Sequence, residues 1–464
     1  MRNRRSELLL LLLLPGWVGC GGSGGSVDAS VDARVDAALP PDASCPAADA
    51  ESCASSLDPL GGTPAPRLPV SLAVAWEYRP AQSFVAGVIV LPGARKVVVR
   101  EKYLSIVMID LVDQSVTAFS PTPGLPASGN ELSPYLVADS AENFYVVGHE
   151  VYAYSPTGAK LWETAMALPV PPGGGGPGIG LLAICGRTLY LTANSGRLYA
   201  LDSATGSQKW SVSTPTGVTR MRASGRGDTL FVPAILGGVL ALSADSGAVR
   251  WQAPCPHHRQ PHVPVPMRTG ILAGSRDFSG TYTREASDQS YRLSSCGDRS
   301  PDLPVDAEPD FALETRTGWL TSSATDQTLA MYELNHFESS TGAVQTRRVI
   351  GVNDGVERTF STYPVAVGAD DVVYVLESFS RTNPTRDLCR LHQLTLPDLT
   401  PVGPPLELGA GVGRGGAAAM TDDGLLVLSV ESGIVAVRTP SPGPLARAWS
   451  LGHGDARGSR WLEP

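Results

Sequence analysis

No two of the chain's seven cysteines are adjacent, so no vicinal disulfide is available. Positive charge is short: 36 Lys and Arg face 45 Asp and Glu, for a net charge of −9. That deficit argues against a nucleic-acid partner and against a polybasic membrane-binding surface. Aromatics make up only 6% of the residues, and no aromatic cluster is visible in the loops. Apolar residues at helical spacing are few, whereas 39 Pro and 50 Gly punctuate the chain. Such a composition fits an all-β protein rich in turns. His149, His336, His392 and His453 are scattered and support no triad.

The first residues have a different character. Arg2, Arg4 and Arg5 precede seven leucines, Leu8 to Leu14, a run too short to span a membrane. Residues 1–19 therefore read as a secretory signal. Trp17-Val18-Gly19-Cys20 resembles a bacterial lipobox, although Trp17 stands where a Leu-like residue is expected. The resemblance implies a lipid on Cys20 and export to the envelope, with Gly21 favouring the outer membrane. The signal carries three Arg and Glu7, net +2, so its removal takes the net charge from −9 to −11.

Residues 20–66 read as a disordered, low-complexity tether. Gly21 to Ser26 is a flexible Gly/Ser stretch, and Val-Asp-Ala recurs at 27, 31 and 35. This spacer is similar to those of myxobacterial surface lipoproteins. Gly21-x-Ser23-x-Gly25 matches a hydrolase elbow in letters only, since no strand precedes it and no helix follows. With Cys20 lipidated, six cysteines remain, an even number that permits disulfides. Cys45 with Cys53 is expected to close a small loop, and Cys255 with Cys296 flanks one divergent repeat. Cys185 and Cys389 lie far apart in the repeat order and read as buried thiols, with their pairing left open by the sequence.

The organising signal lies further on. Leu198-Tyr-Ala-Leu-Asp202-Ser-Ala-Thr205-Gly206-Ser-Gln-Lys-Trp210 reads as strand, turn and strand. Asp202 and Thr205 can bond backbone groups within the turn, and Gly206 can supply a positive φ. Val151 to Trp162 and Val239 to Trp251 repeat the pattern, each with Trp four residues after Gly. Gly158, Gly206 and Gly247 are 48 and 41 residues apart, and Gly342 restores the turn 95 residues later. A period of about 40–50 residues in a β-rich chain indicates propeller blades.

Ala200-x-Asp202-x-x-Thr205-Gly206-x-x-x-Trp210 resembles the tryptophan-docking repeat of the quinoprotein (PQQ-like) β-propellers. That superfamily spans PQQ-dependent dehydrogenases and BamB-like outer-membrane lipoproteins without a cofactor. The resemblance implies a propeller of four-stranded blades over residues 67–452, followed by a tail, residues 453–464. Eight blades fit the spacing, with a lone outer strand at Leu72–Trp76 free to close the ring. Against that closure, the strand near Trp449 already looks like the outer strand of the last blade. Seven blades follow if residues 262–308 are an insertion.

Three further patterns compete for a function. Gly411-x-Gly413-x-x-Gly416 matches a dinucleotide fingerprint, but only residues 417–424 are available for the crossover helix that such a site needs. His257, His258 and His262 would make a metal site on paper, yet the surrounding prolines argue against a helix aligning them. PQQ chemistry in the family uses adjacent cysteines and a calcium cage, neither of which can be matched here. The expectation is therefore no cofactor, no metal and no catalysis. The expected role is a monomeric, lipid-anchored scaffold binding another envelope protein. A quinone- or metal-dependent dehydrogenase and a glycan or small-ligand sensor are the alternatives.

Overall fold

A computed structural model describes residues 64–67, 71–79, 85–101, 106–119, 135–147, 150–165, 179–193, 196–214, 224–234, 238–254, 260–261, 265–267, 270–276, 289–293, 299–302, 312–326, 331–338, 341–351, 354, 356–382, 385–410, 418–430, 433–445 and 461–462. They belong to a compact unit, Glu51–Pro464. The described residues form β-strands and turns without any helix, and the strands fall into eight sheets.

Valine-, leucine- and tyrosine-rich stretches with turn residues at each end form the strands, and neighbouring strands pair antiparallel except where Trp461–Leu462 joins Ser224–Arg226 in parallel. Sheet one comprises Val85–Leu91, Lys96–Glu101, Ile106–Asp110 and Val116–Phe119. Sheet two comprises Tyr135–Ala138, Phe144–Val147, Glu150–Tyr154 and Lys160–Ala165. Sheet three follows with Ile179–Cys185, Thr188–Ala193, Arg197–Asp202 and Gln208–Ser213. Sheet four holds Ser224–Arg226, Thr229–Ala234, Gly238–Ser243 and Val249–Pro254. Residues 260–302 supply sheet five, built on Gly270–Arg276. In sheet six, Leu313–Glu314, Gly318–Asp326, Met331–Glu338 and Val344–Ile350 pair in order. Sheet seven has three strands of eleven residues, Glu357–Val367, Val372–Thr382 and Thr385–Thr395, edged by Thr400–Pro401 and Leu406–Ala410. Sheet eight contains Ala418–Met420, Leu425–Val430 and Gly433–Arg438.

The core lies between sheets rather than within one globule. Val137, Tyr145, Leu189 and Leu191 fill the space between sheets two and three. Leu198, Leu230, Leu240 and Leu242 do so between three and four. The series closes on itself, because Val88, Val97 and Val107 of sheet one pack against Ala419, Val427 and Ala436 of sheet eight. This is β-propeller architecture, with apolar cores between sheets and one of them continuous across sheets five, six and seven.

Closure depends on one long-range pairing. Ala73–Tyr78 is the outer strand of sheet eight, with Trp76 opposite Ala436 and Tyr78 opposite Ile434. Trp449, expected from the sequence in an outer strand of this sheet, lies outside the described residues. Over residues 439–445 the chain does not turn back along sheet eight. It crosses to sheet seven, where Gly368 bridges Pro444 and Leu445 N–H donates to Val367 O at 2.9 Å. The same turn of sheet seven receives Ala65 N–H on Ala369 O at 2.9 Å and an Arg67–Asp370 ion pair at 3.3 Å. Arg316 of sheet six completes it, bonding Asp371 at 2.8 Å and Ala369 O at 2.9 Å.

Two of the residues expected in the tail, Trp461–Leu462, form a fifth strand on sheet four. Where the dinucleotide fingerprint would require a helix, Ala418–Met420 is a strand; residues 411–417 lie outside the described residues.

Candidate functional site

Each repeat turn is built locally. The Asp202 carboxylate accepts from Ala204 N–H at 3.0 Å and Thr205 N–H at 3.1 Å, while Gly206 N–H donates to Asp202 O at 2.8 Å. Gly206 takes φ +72°, the left-handed region open to glycine at little cost. A Cβ there would lie 2.7 Å from the ring of Trp162 in the preceding sheet. Glycine thus serves twice, by making the turn and by letting the indole sit on it.

The docking is polar as well as apolar. Trp162 Nε1 donates to Ser203 O at 2.8 Å, and the Tyr145 hydroxyl reaches the same oxygen at 3.2 Å. One sheet on, Trp210 Nε1 donates to Ala244 O at 3.1 Å and the Tyr190 hydroxyl to that oxygen at 3.2 Å. Tyr190 and Trp210 of sheet three therefore clamp a single turn carbonyl of sheet four, whereas Tyr145 only approaches the carbonyl that Trp162 bonds. Burial pushes both phenols well above their ordinary value, aided at Tyr145 by the Asp139 carboxylate that accepts its proton at 2.6 Å. The register repeats: Ala153 faces Trp162, Ala200 faces Trp210, and Ala241 faces Trp251. A small residue leaves room for the indole on the neighbouring strand. Gly158 has no tryptophan against it; Phe119 of sheet one lies there, 2.1 Å from where a Cβ would be.

Sheet six inverts this arrangement. His336 occupies the alanine place and Thr346 the tryptophan place, while Gly342 keeps its positive φ of 73°. The His336 ring is fully buried, with Nε2 3.1 Å from Thr315 Oγ1. Burial lowers its pKa to about 4, so it is neutral near pH 7. Trp319 stacks on Phe337 at 5.3 Å beside it.

The densest chemistry lies on the long hairpins of sheet seven. Glu377 and Arg390 are directly opposed in the register, one pair removed from the Val375–His392 pair on the same face. The Glu377 side chain is 2% exposed and is held by His392 Nε2 at 2.7 Å, Thr359 Oγ1 at 2.5 Å and an ion pair with Arg390 Nε at 2.7 Å. Burial alone would raise its carboxyl pKa, but the bonds from His392 and Thr359 and the charge of Arg390 bring it below the ordinary value. Arg390 stacks over the Phe379 ring at 3.8 Å and bonds Glu357 at 2.6 Å. Arg381 then links Glu357 at 2.6 Å to the exposed Glu407 at 3.0 Å. The network runs from a buried carboxylate to the surface, with each carboxylate facing a guanidinium. Its chemistry is that of a rigid charged lattice.

Sequence reasoning singled out Gly158, Trp162, Asp202, Thr205, Gly206, Trp210, Gly247, Trp251 and Gly342, and the structure places all of them at turns or outer strands. Cys20, Cys45, Cys53, Cys255 and Cys296, with His257, His258 and His262, lie outside the described residues. Cys185 is half-buried, and Cys389 is buried beside Ser378. Tyr145, Tyr190, Phe119 and the Glu377 network went unread. The alternation of charged residues along 377–392 was the available signal for the last of these.

Residues 112–262 match the family model described as outer membrane protein assembly factor BamB. That span includes all three Trp-bearing turns, so the PQQ-like repeat is present there. Among solved structures, BamB from Moraxella catarrhalis is similar at 15% identity and a TM-score of 0.51, covering 80% of this chain and 98% of that one. The Dos1 propeller is similar at 11% identity and a TM-score of 0.54, covering 81% and 95%. Both show the propeller fold. No curated protein sequence matches the chain.

Proposed function

We propose that this chain is a non-catalytic, lipid-anchored propeller that holds another protein at the cell envelope, with Cys20 as the lipidated residue and the outer membrane as its site. The observation that carries this reading is how the repeat residues are used. Trp162, Trp210, Gly206 and Gly247 dock one sheet on the next, which leaves them no role in chemistry. The family model matched over that same span is described for an assembly factor. The Arg2-to-Cys20 leader and the Val-Asp-Ala tether supply the anchoring argument. Glu357 and Glu377 of sheet seven are committed to Arg381, Arg390 and His392, which suits a structural role for these two carboxylates.

Cys20→Ser tests the anchor. The wild-type protein should partition with outer membranes and incorporate labelled palmitate, and the variant should do neither. Equal membrane partition of the two would overturn the lipoprotein reading. Soaking purified protein with PQQ and Ca²⁺, then desalting, tests the enzyme class. A stoichiometric quinone spectrum with dye-linked alcohol oxidation would make the protein a dehydrogenase instead.

A further inference from the structure

Inner strands of a propeller line its axis and normally present a bare backbone edge to the channel. Ser224–Arg226 of sheet four departs from this. On one side it pairs antiparallel with Thr229–Ala234, with Gly225 opposite Leu230 and Arg226 opposite Thr229. On its other, axial side it pairs parallel with Trp461–Leu462, Gly225 opposite Trp461 and Arg226 opposite Leu462. The added strand also lies beside Ile179–Cys185, the inner strand of sheet three. It comes from far away in the chain, since Leu445 is tied to sheet seven. The fifteen residues between Leu445 and Trp461 include Gly452, Gly454 and Gly458. Fully extended, they reach about 50 Å, enough to cross the ring.

We propose that the axial edge of Ser224–Arg226 is an acceptor site for extended peptide segments, kept closed by the chain's own Trp461–Leu462 segment. Strand addition supplies affinity through main-chain hydrogen bonds, so the site reads backbone shape before side-chain identity. Gly225 sits where another backbone approaches, and a glycine in a strand offers no side chain to obstruct it. The clasp is two residue pairs long. It is sustained by tethering, because an attached segment is present at an effective concentration of order millimolar. A protein partner would enter by replacing it with an extended segment of its own. Only this last step rests on the scaffold reading above.

The test uses a variant lacking residues 453–464 and a fluorescent peptide of that sequence added in trans. The shortened protein should bind the peptide saturably, and the full chain at least tenfold more weakly. Backbone amides of residues 224–226 should lose hydrogen-exchange protection on truncation and regain it with peptide. A peptide N-methylated at Trp461, Leu462 and Glu463 should not bind. Equal binding to both proteins, no binding to a cooperatively melting truncated protein, or undiminished binding of the methylated peptide would each overturn the proposal. Should truncation abolish cooperative melting, the full chain carrying Leu462→Pro replaces it, with the same expected gain in peptide binding. The Cys20→Ser fractionation is independent: a protein that exchanges its peptide normally yet ignores Cys20 sinks only the anchoring.

Discussion

Sheets two to four and sheets six and seven solve the same packing problem by opposite means. In the first group, sheets two and three each seat a Tyr–Trp pair on a glycine turn of the next sheet, as Trp210 and Tyr190 do at Ala244, and sheet four packs Phe231 against Trp251. In the second, His336 opposite Thr346 takes the place of alanine opposite tryptophan. Sheet seven adds a buried ionic lattice on strands of eleven residues, roughly twice the length of those in sheet three. The first device is cheap in sequence, since a few residues at fixed spacing recreate it in every repeat. The second is private to one place, because its members must be matched to one another. The repeat half is therefore recognisable, and the other half has been free to diverge.

The sharpest break of this contrast is Glu377→Gln. Removing one partner of a buried ion pair costs roughly 3–5 kcal/mol, since the other charge is left uncompensated. Chemical denaturation should show a loss of that size, with Glu377→Gln/Arg390→Met recovering much of it. A mutant midpoint equal to wild type would mean the lattice is decorative. Trp210→Ala should follow, at about 3 kcal/mol, because a half-buried indole and its bond to Ala244 are lost together. Its effect should be nearly additive with that of Glu377→Gln, since the two sites share no partner.

A pH series separates the groups again. His336 has a folded pKa of about 4, below its unfolded value of 6.5. Above pH 6.5 both states are neutral and stability is unaffected. As pH falls below 6.5 the unfolded chain takes up the proton first, so stability is lost progressively down to the folded pKa. Between pH 7 and 4.5 this amounts to about 2 kcal/mol. His336→Gln should flatten that slope, and an unchanged slope would place the titration elsewhere. The smallest effect sharpens the repeat half. Tyr190→Phe removes one of two donors to Ala244 O and should cost about 1 kcal/mol. Tyr190→Phe in the Trp210→Ala background should cost more, since the carbonyl then has neither donor.

Much of the propeller was legible because its signals are local. Asp202, Thr205, Gly206 and Trp210 lie within nine residues, and their turn geometry follows from side-chain reach and φ alone. Alternating apolar residues identify the strands, and their spacing identifies the sheets. Phe119 was unreadable as the partner of Gly158, because it stands outside the motif spacing and reaches the glycine only across a sheet junction. The Glu377, Arg390 and His392 cluster was unreadable for a related reason: charged residues in strands look alike whether solvated or paired, and only the register opposes them.

Sequence by itself determined the recurring sheet unit and the chemistry by which repeated turns receive tryptophan, since both arise from contacts between near neighbours or from recurrence. Tertiary structure alone decided which strand fills each free edge. Ala73–Tyr78 closes sheet eight, residues 439–445 cross to sheet seven, and Trp461–Leu462 covers the axial edge of sheet four. The physical reason is that a backbone edge offers much the same N–H and C=O groups to any extended segment. Which segment takes it depends on loop-closure entropy and on the position of the chain after all its other contacts are made.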